Sequence, residues 1–154
     1  MTSASGSIVT SHIGLCVSDI ARSKSFYCDA LGFEPAALLT AGKECADLVG
    51  VGDDLAIECQ FLLKDGALIE LVHFTRPGHF GPTTPRPHNQ LGLTHLSFRV
   101  RNLDAVVDDI VKHGGSAIES TRILQEPFGR MIFCTDPDGI KIELMEIPDS
   151  IQFK

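Results

Sequence analysis

Two stretches of the chain carry the same pattern of apolar and polar positions. Asp65-Gly66 leads into Ala67-Leu68-Ile69-Glu70-Leu71-Val72, and Asp136-Pro137-Asp138-Gly139 leads into Ile140-Lys141-Ile142-Glu143-Leu144-Met145. An Asp-Gly step supplies the positive φ of a tight hairpin turn, so each stretch reads as the second arm of a β-hairpin. Strand side chains alternate with period two. Ile140, Ile142 and Leu144 therefore share one face, and Lys141, Glu143 and Met145 share the other. Glu70 and Glu143 both stand in mid-strand, four residues after the turn glycine and off the aliphatic row. A pattern that recurs in this way indicates an internal duplication.

The repeat extends upstream. His12-Ile13-Gly14-Leu15-Cys16-Val17 and His95-Leu96-Ser97-Phe98-Arg99-Val100 each begin with a His on the face opposite the aliphatic residues. Ser18-Asp19 then caps a helix expected over 20–31, with Ile20, Ser23, Phe26, Tyr27 and Leu31 along one side and Gly32 at its end. In the second half Asn102 caps a helix over 103–113, with Val106, Val107, Ile110 and Val111 as its stripe and Gly114-Gly115 as its stop. Strands are expected over 12–17, 33–40, 55–63, 67–74, 93–100, 116–124, 129–135 and 140–147. The stretch 41–51 is Gly-rich and fits neither period. His12 and Glu70 are 58 residues apart, and His95 and Glu143 are 48 apart, so the first half carries an insertion.

The expected fold is α+β: two tandem βαβββ modules whose mostly antiparallel sheets curve into a cup. A tail over 1–10 precedes a first module over 11–74. A connection over 75–92 leads to a second module over 93–148 and a tail over 149–154. The connection holds Pro77, Pro82, Pro85 and Pro87 and reads as a linker or a lid. In each module the aliphatic strand face must cover the helix. His12, Glu70, His95 and Glu143 then point away from the helices, into the hollow of the sheets.

Composition narrows the classes of function. The chain has 154 residues, a formal net charge of −7 and scattered basic residues, which argues against a nucleic-acid partner. No apolar run is long enough to span a bilayer, and the Ser-rich start lacks the features of a secretory signal. Five Cys with no Cys-x-x-Cys pair read as reduced and buried, consistent with a cytoplasmic protein.

Imidazole and carboxylate together suit a divalent transition ion, and two of each leave open positions for water or a chelating substrate. A lone strand His or Glu is most often structural or solvated. Four at repeat-equivalent positions, all off the apolar face, point to a shared metal site. The other histidines do not repeat. His73, His88 and His113 read as surface or loop residues, and His79 lies in the connection, within possible reach of a substrate.

The paired modules resemble the vicinal oxygen chelate superfamily, as do His12-Ile13-Gly14-Leu15, the helix with Ser25-Phe26-Tyr27 and Leu31-Gly32-Phe33, and Asp136-Pro137-Asp138-Gly139 before Glu143-Leu144. His12, Glu70, His95 and Glu143 match the ligand set of bacterial glyoxalase I. The resemblance implies one divalent metal per site (Ni, Co, Zn, Mn or Fe) and a small-molecule substrate with adjacent oxygens. It implies proton transfer next to a carbonyl through an enediolate, with Glu143 as base and Glu70 as its pseudosymmetric alternative. It also implies a homodimer, whose sites are built from modules of one chain or of two. Methylmalonyl-CoA epimerase is similar but commonly has Gln at the position of Glu70. An extradiol-type dioxygenase and a drug-sequestering resistance protein are the remaining alternatives in the superfamily. Glyoxalase I holds glutathione with an Arg and an Asn at the positions of Cys16 and Phe74, which makes glutathione doubtful here. Arg99, at the position repeat-equivalent to Cys16, is a candidate for binding a substrate anion.

Overall fold

A computed structural model describes residues 8–151. The tail expected over 1–10 and the one over 149–154 lie partly outside that range. Each half folds as expected, into a βαβββ module. In the first, β1 (Ile13–Cys16), α1 (Ile20–Ser25), β2 (Glu34–Ala41), β3 (Ala56–Lys64) and β4 (Ala67–Arg76) form a sheet in the order β1-β4-β3-β2. In the second, β5 (Leu96–Arg99), α3 (Leu103–Lys112), β6 (Ser116–Gln125), β7 (Gly129–Thr135) and β8 (Lys141–Glu146) form a sheet in the order β5-β8-β7-β6. In both sheets the first strand pairs parallel with the last and the other pairs are antiparallel. The two sheets remain separate and open.

Local chemistry explains the helices. Asp19 accepts from the Arg22 N–H at 2.9 Å and Asn102 from the Ala105 N–H at 3.1 Å, so each N-terminus has a side-chain cap. Beyond Ser25 the first helix widens into a π-type turn over Phe26–Ala30, in which the consecutive aromatics Phe26 and Tyr27 are both fully buried. Gly32, at φ +70°, then turns the chain into β2. The segment 41–51, ambiguous in sequence, forms a 3-10 turn over Lys43–Cys45 and the short helix α2 over Ala46–Val49. β5 is shorter than the expected strand because its pairing with β8 begins only at Leu96, opposite Ile142.

One hydrophobic core serves both modules. Leu15, Val17, Phe26, Tyr27, Leu62 and Leu71 from the first half pack in a single cluster with Leu103, Ile110, Ile132, Ile142 and Leu144 from the second. Each such aliphatic side chain withdrawn from water contributes about 1.5–3 kcal/mol. The halves approach so closely at Gly115 that a Cβ there would collide with the Thr135 carbonyl, Ile110 and Phe26. Polar contacts lock the same seam. Asp138 accepts from the Ser18 N–H at 2.9 Å, the Ser18 hydroxyl at 2.6 Å and Arg22 at 2.5 Å, and the Tyr27 hydroxyl donates to Asp136 at 3.1 Å. Burial raises the Asp138 carboxyl, but the Ser18 donors and the Arg22 guanidinium more than offset it and hold it below the usual carboxylate range. With α1, α3 and the shared core on one side, the opposite faces of both sheets are left for chemistry, and α2 with a smaller cluster of Ala46, Leu55, Ile57 and Cys59 covers part of that face in the first module. Among the described residues no helix is long and apolar enough to cross a membrane.

Candidate metal centre

The strand register brings the first pair together. β1 and β4 run parallel with Gly14 opposite Glu70, and His12 immediately precedes β1. The His12 Nε2 lies 3.2 Å from Glu70 Oε2. The His12 ring stands edge-on to Phe61 of β3, at 5.3 Å between centroids, and its Nδ1 meets the Ser11 hydroxyl at 2.9 Å. Beside Glu70, burial pushes the Cys59 thiol up to about 12, and the neighbouring Glu70 carboxylate adds to the rise.

The second half repeats this construction. Ser97 lies opposite Glu143 in the β5–β8 pairing, and His95 precedes β5. The His95 Nε2 lies 3.4 Å from Glu143 Oε2, and the His95 ring stands edge-on to Phe133 of β7 at 5.2 Å. Phe61 pairs with Glu70 as Phe133 pairs with Glu143, so the aromatic buttress is part of the duplication. The halves differ at one place. Gly14 leaves Glu70 open, whereas the Ser97 hydroxyl donates to Glu143 Oε2 at 2.7 Å and orients it.

Each pair fits a divalent cation. Two donors bonded to one ion at about 2.1 Å stand about 3.0–3.4 Å apart for angles between octahedral and tetrahedral. Both Nε2···Oε2 separations fall in that range. The two pairs do not meet within one chain. Among the described residues no group of three or more His, Cys, Asp or Glu side chains is placed to hold a metal. One chain thus presents two separate His–Glu pairs, one on each sheet.

The surroundings of the two pairs differ in character. His12 and Glu70 line a pocket of about 600 Å³ whose other walls include Leu39, Leu48, Val49, Ile57, Val72 and Phe74. Leu48 and Val49 come from the segment 41–51, so the insertion builds one wall. Cys16 and Phe74 are in the same lining, which contains no Lys or Arg. The cysteines are less buried than expected: Cys16 is exposed, Cys28 and Cys45 are half-buried, and only Cys59 and Cys134 are buried, all as free thiols. The strand-face alternation that turns His12 into the hollow turns Cys16 there too.

Three other residues depart from the sequence expectations or refine them. Arg99 lies on the expected face of β5, but its guanidinium donates to the Pro148 carbonyl at 2.8 Å and to the Ile151 carbonyl, and so ties down the C-terminal segment. His88, read from sequence as a loop residue, folds back onto the second pair. Its ring lies 5.4 Å from that of His95 and 4.6 Å from that of Phe133, and Lys141 donates to its Nδ1 at 2.8 Å. His79 lines a small cleft with Ser18 and Asp138, and that cleft shares Cys16 with the pocket of the first pair. Phe61, Phe133 and His88 carry no signal in apolar period, since each reads as an ordinary strand or loop residue until the register is known.

Comparison with known proteins agrees with this architecture. The family model described as Glyoxalase/Bleomycin resistance protein/Dioxygenase superfamily matches residues 10–144. The chain is 35% identical to the uncharacterized protein YaeR of Escherichia coli, over 88% of this chain and 93% of that one. It is 27% identical to a probable lactoylglutathione lyase of Synechocystis, over 88% and 92% of the two chains. A glyoxalase family protein from Bacillus cereus superposes with a TM-score of 0.80 at 21% identity, covering 94% of this chain and 98% of that one. The fosfomycin resistance protein FosX from Listeria monocytogenes, solved as an E126Q mutant with Mn(II) and 1S,2S-dihydroxypropylphosphonic acid, superposes with a TM-score of 0.57 at 19% identity over 92% and 94%. In sequence, in module order and in fold, the chain belongs to the glyoxalase/bleomycin resistance protein/dioxygenase superfamily.

Proposed function

We propose that this protein is a metal-dependent enzyme that moves a proton on the carbon next to a carbonyl, a lyase or isomerase of the glyoxalase type. The observation that carries the reading is the pair of matched His–carboxylate contacts, at 3.2 and 3.4 Å, at equivalent places in the two modules. Because one chain offers only half-sets, the working site combines His12 and Glu70 of one chain with the partner's His95 and the partner's Glu143 in a homodimer. His12, Glu70, the partner's His95 and the partner's Glu143 would hold a divalent transition metal, which would supply Lewis acidity toward the substrate carbonyl.

The chain's own residues supply the rest. Glu143 takes the proton from carbon and returns it, with the Ser97 hydroxyl fixing the carboxylate that does so. Glu70 stays a ligand, in the same pocket lining as Cys59. His12 and His95 are held by edge contacts with Phe61 and Phe133, which set the direction of each Nε2. The apolar pocket beside His12 accepts an uncharged part of the substrate and excludes water from the reacting carbon. Cys16 and Phe74 in that pocket offer no partner for the carboxylates of glutathione, so the substrate differs from that of a lactoylglutathione lyase.

The test is metal loading together with proton exchange. Purified protein stripped by chelation and titrated with Ni, Co, Mn or Zn takes up about one ion per chain. The loaded protein exchanges the α-proton of α-hydroxy ketones and acyl thioesters with deuterated solvent, and Glu143→Gln retains the metal but loses exchange. A protein that takes up no metal is a sequestering module instead.

A further inference from the structure

Lys141 stands on the ligand face of β8, two residues before Glu143, and the chain has built a support for it. The Lys141 Nζ donates to His88 Nδ1 at 2.8 Å. An ammonium can only donate, so Nδ1 is the acceptor, and the His88 proton resides on Nε2. The His88 ring itself packs against both His95 and Phe133, which also touch each other. A linker residue thereby fixes a cation beside the second ligand pair. Among the described residues no ion pair involves Lys141.

Among the described residues the other cations on these strand faces are tied elsewhere, and Arg76 donates to the Asp54 carbonyl at 3.3 Å. Arg99 is bound to the carbonyls of Pro148 and Ile151, and the pocket of the first pair has no Lys or Arg in its lining. At the repeat-equivalent position, two residues before Glu70, the first module has Leu68. The site is therefore one-sided, apolar on the first module and cationic on the second.

We infer that Lys141, held by His88, binds a carboxylate of the substrate next to the chelated oxygens. A single ammonium acts as a point charge, which matches a monovalent carboxylate one for one. Two residues along a strand span about 7 Å, so the carboxylate sits a few bonds beyond the carbonyl whose α-proton is moved. The substrate class is a small α-carbonyl compound with a free carboxylate at one end and an apolar group at the other. The inference rests on the chelate site proposed above.

Hydroxamates test it, because they bind divalent metals through two adjacent oxygens. Succinic monohydroxamate and butyrohydroxamate are nearly isosteric and differ in the terminal carboxylate. On the cobalt-loaded dimer, measured by calorimetry and by the visible spectrum of the ion, the wild type prefers succinic monohydroxamate by about tenfold. Lys141→Met abolishes the preference and leaves butyrohydroxamate affinity unchanged. Lys141→Arg keeps a preference, and His88→Ala reduces it. Equal affinity of the two probes for the wild type, or a preference that survives Lys141→Met, overturns the role of Lys141 while leaving the chelate site intact. If neither probe perturbs the cobalt spectrum, the chelate reading falls and this assignment falls with it.

Discussion

Gly14 faces Glu70 across the parallel pairing of β1 and β4, and a Cβ built on Gly14 would lie 3.7 Å from Glu70 Oε2. The absent side chain keeps the carboxylate open to the hollow. Gly14→Val puts two methyl groups over it, at a backbone conformation that a branched residue tolerates in a strand. Metal affinity is expected to fall at least about tenfold, the loss typical of disturbing a ligand's surroundings, while circular dichroism stays unchanged. Undiminished affinity in Gly14→Val would show that Glu70 does not meet the ion from this side.

Ser97 occupies the equivalent place in the second module and does the opposite job, donating to Glu143. Ser97→Ala leaves both half-sets in place and frees the base to rotate. Turnover or deuterium exchange should fall about tenfold or more, with metal affinity within a few-fold of wild type. If metal affinity drops and exchange per bound metal does not, Ser97 serves the ligand and not the base.

The strand pattern made most of this arrangement legible. Period-two alternation around Glu70 and Glu143, with a His at the head of each module, was enough to put four side chains on the faces turned from the helices. It does not order the strands within a sheet, and the orders β1-β4-β3-β2 and β5-β8-β7-β6 are seen only in the folded chain. Alternation says nothing about which module faces which, so the parting of the four residues into two separate pairs is visible only in the folded chain. His88 lay hidden because 77–92 has no period, and its position depends on how the connection packs across the turn at Gly139, where a Cβ would strike the Thr83 carbonyl. Arg99 shares its face with His95 and Ser97, but the length of an Arg side chain carried its guanidinium to carbonyls that strand alternation does not place.

That position of Arg99 has a consequence that can be measured. Arg99→Met removes the donors to Pro148 and Ile151. Amide exchange over 147–151 is expected to quicken, with the affinity for both hydroxamates unaltered. Loss of succinic monohydroxamate binding would return Arg99 to the substrate site.

Asp136 ties stability to pH. Burial pushes its carboxyl up to about 6, against the pull of the Ile140 and Asp138 N–H groups and the Tyr27 hydroxyl. An unfolded Asp titrates near about 3.9, so between about pH 4 and 6 the folded chain keeps a proton that the unfolded chain has lost. The stability linked to that proton is full below about pH 4 and is lost as the pH rises through 6, a decline of about 2–3 kcal/mol. Asp136→Asn cannot ionise. Urea unfolding of the metal-free protein should show this decline in the wild type and its absence in the variant. A decline of equal size in both would place its origin elsewhere.

The division of the metal site between two chains is tested most directly by mixing variants. His12→Ala and His95→Ala, each alone, lose metal binding, whether the site lies in one chain or two. When the two are unfolded, mixed in equal amounts and refolded together, a shared site behaves differently from a private one. In a mixed dimer one site collects both substitutions and the other collects neither. Random pairing then restores about one quarter of the wild-type metal content, and mixed dimers isolated by differential tags hold about one ion per two chains. Mixed dimers without metal would contradict the account, because sites within single chains remain broken however the chains are paired.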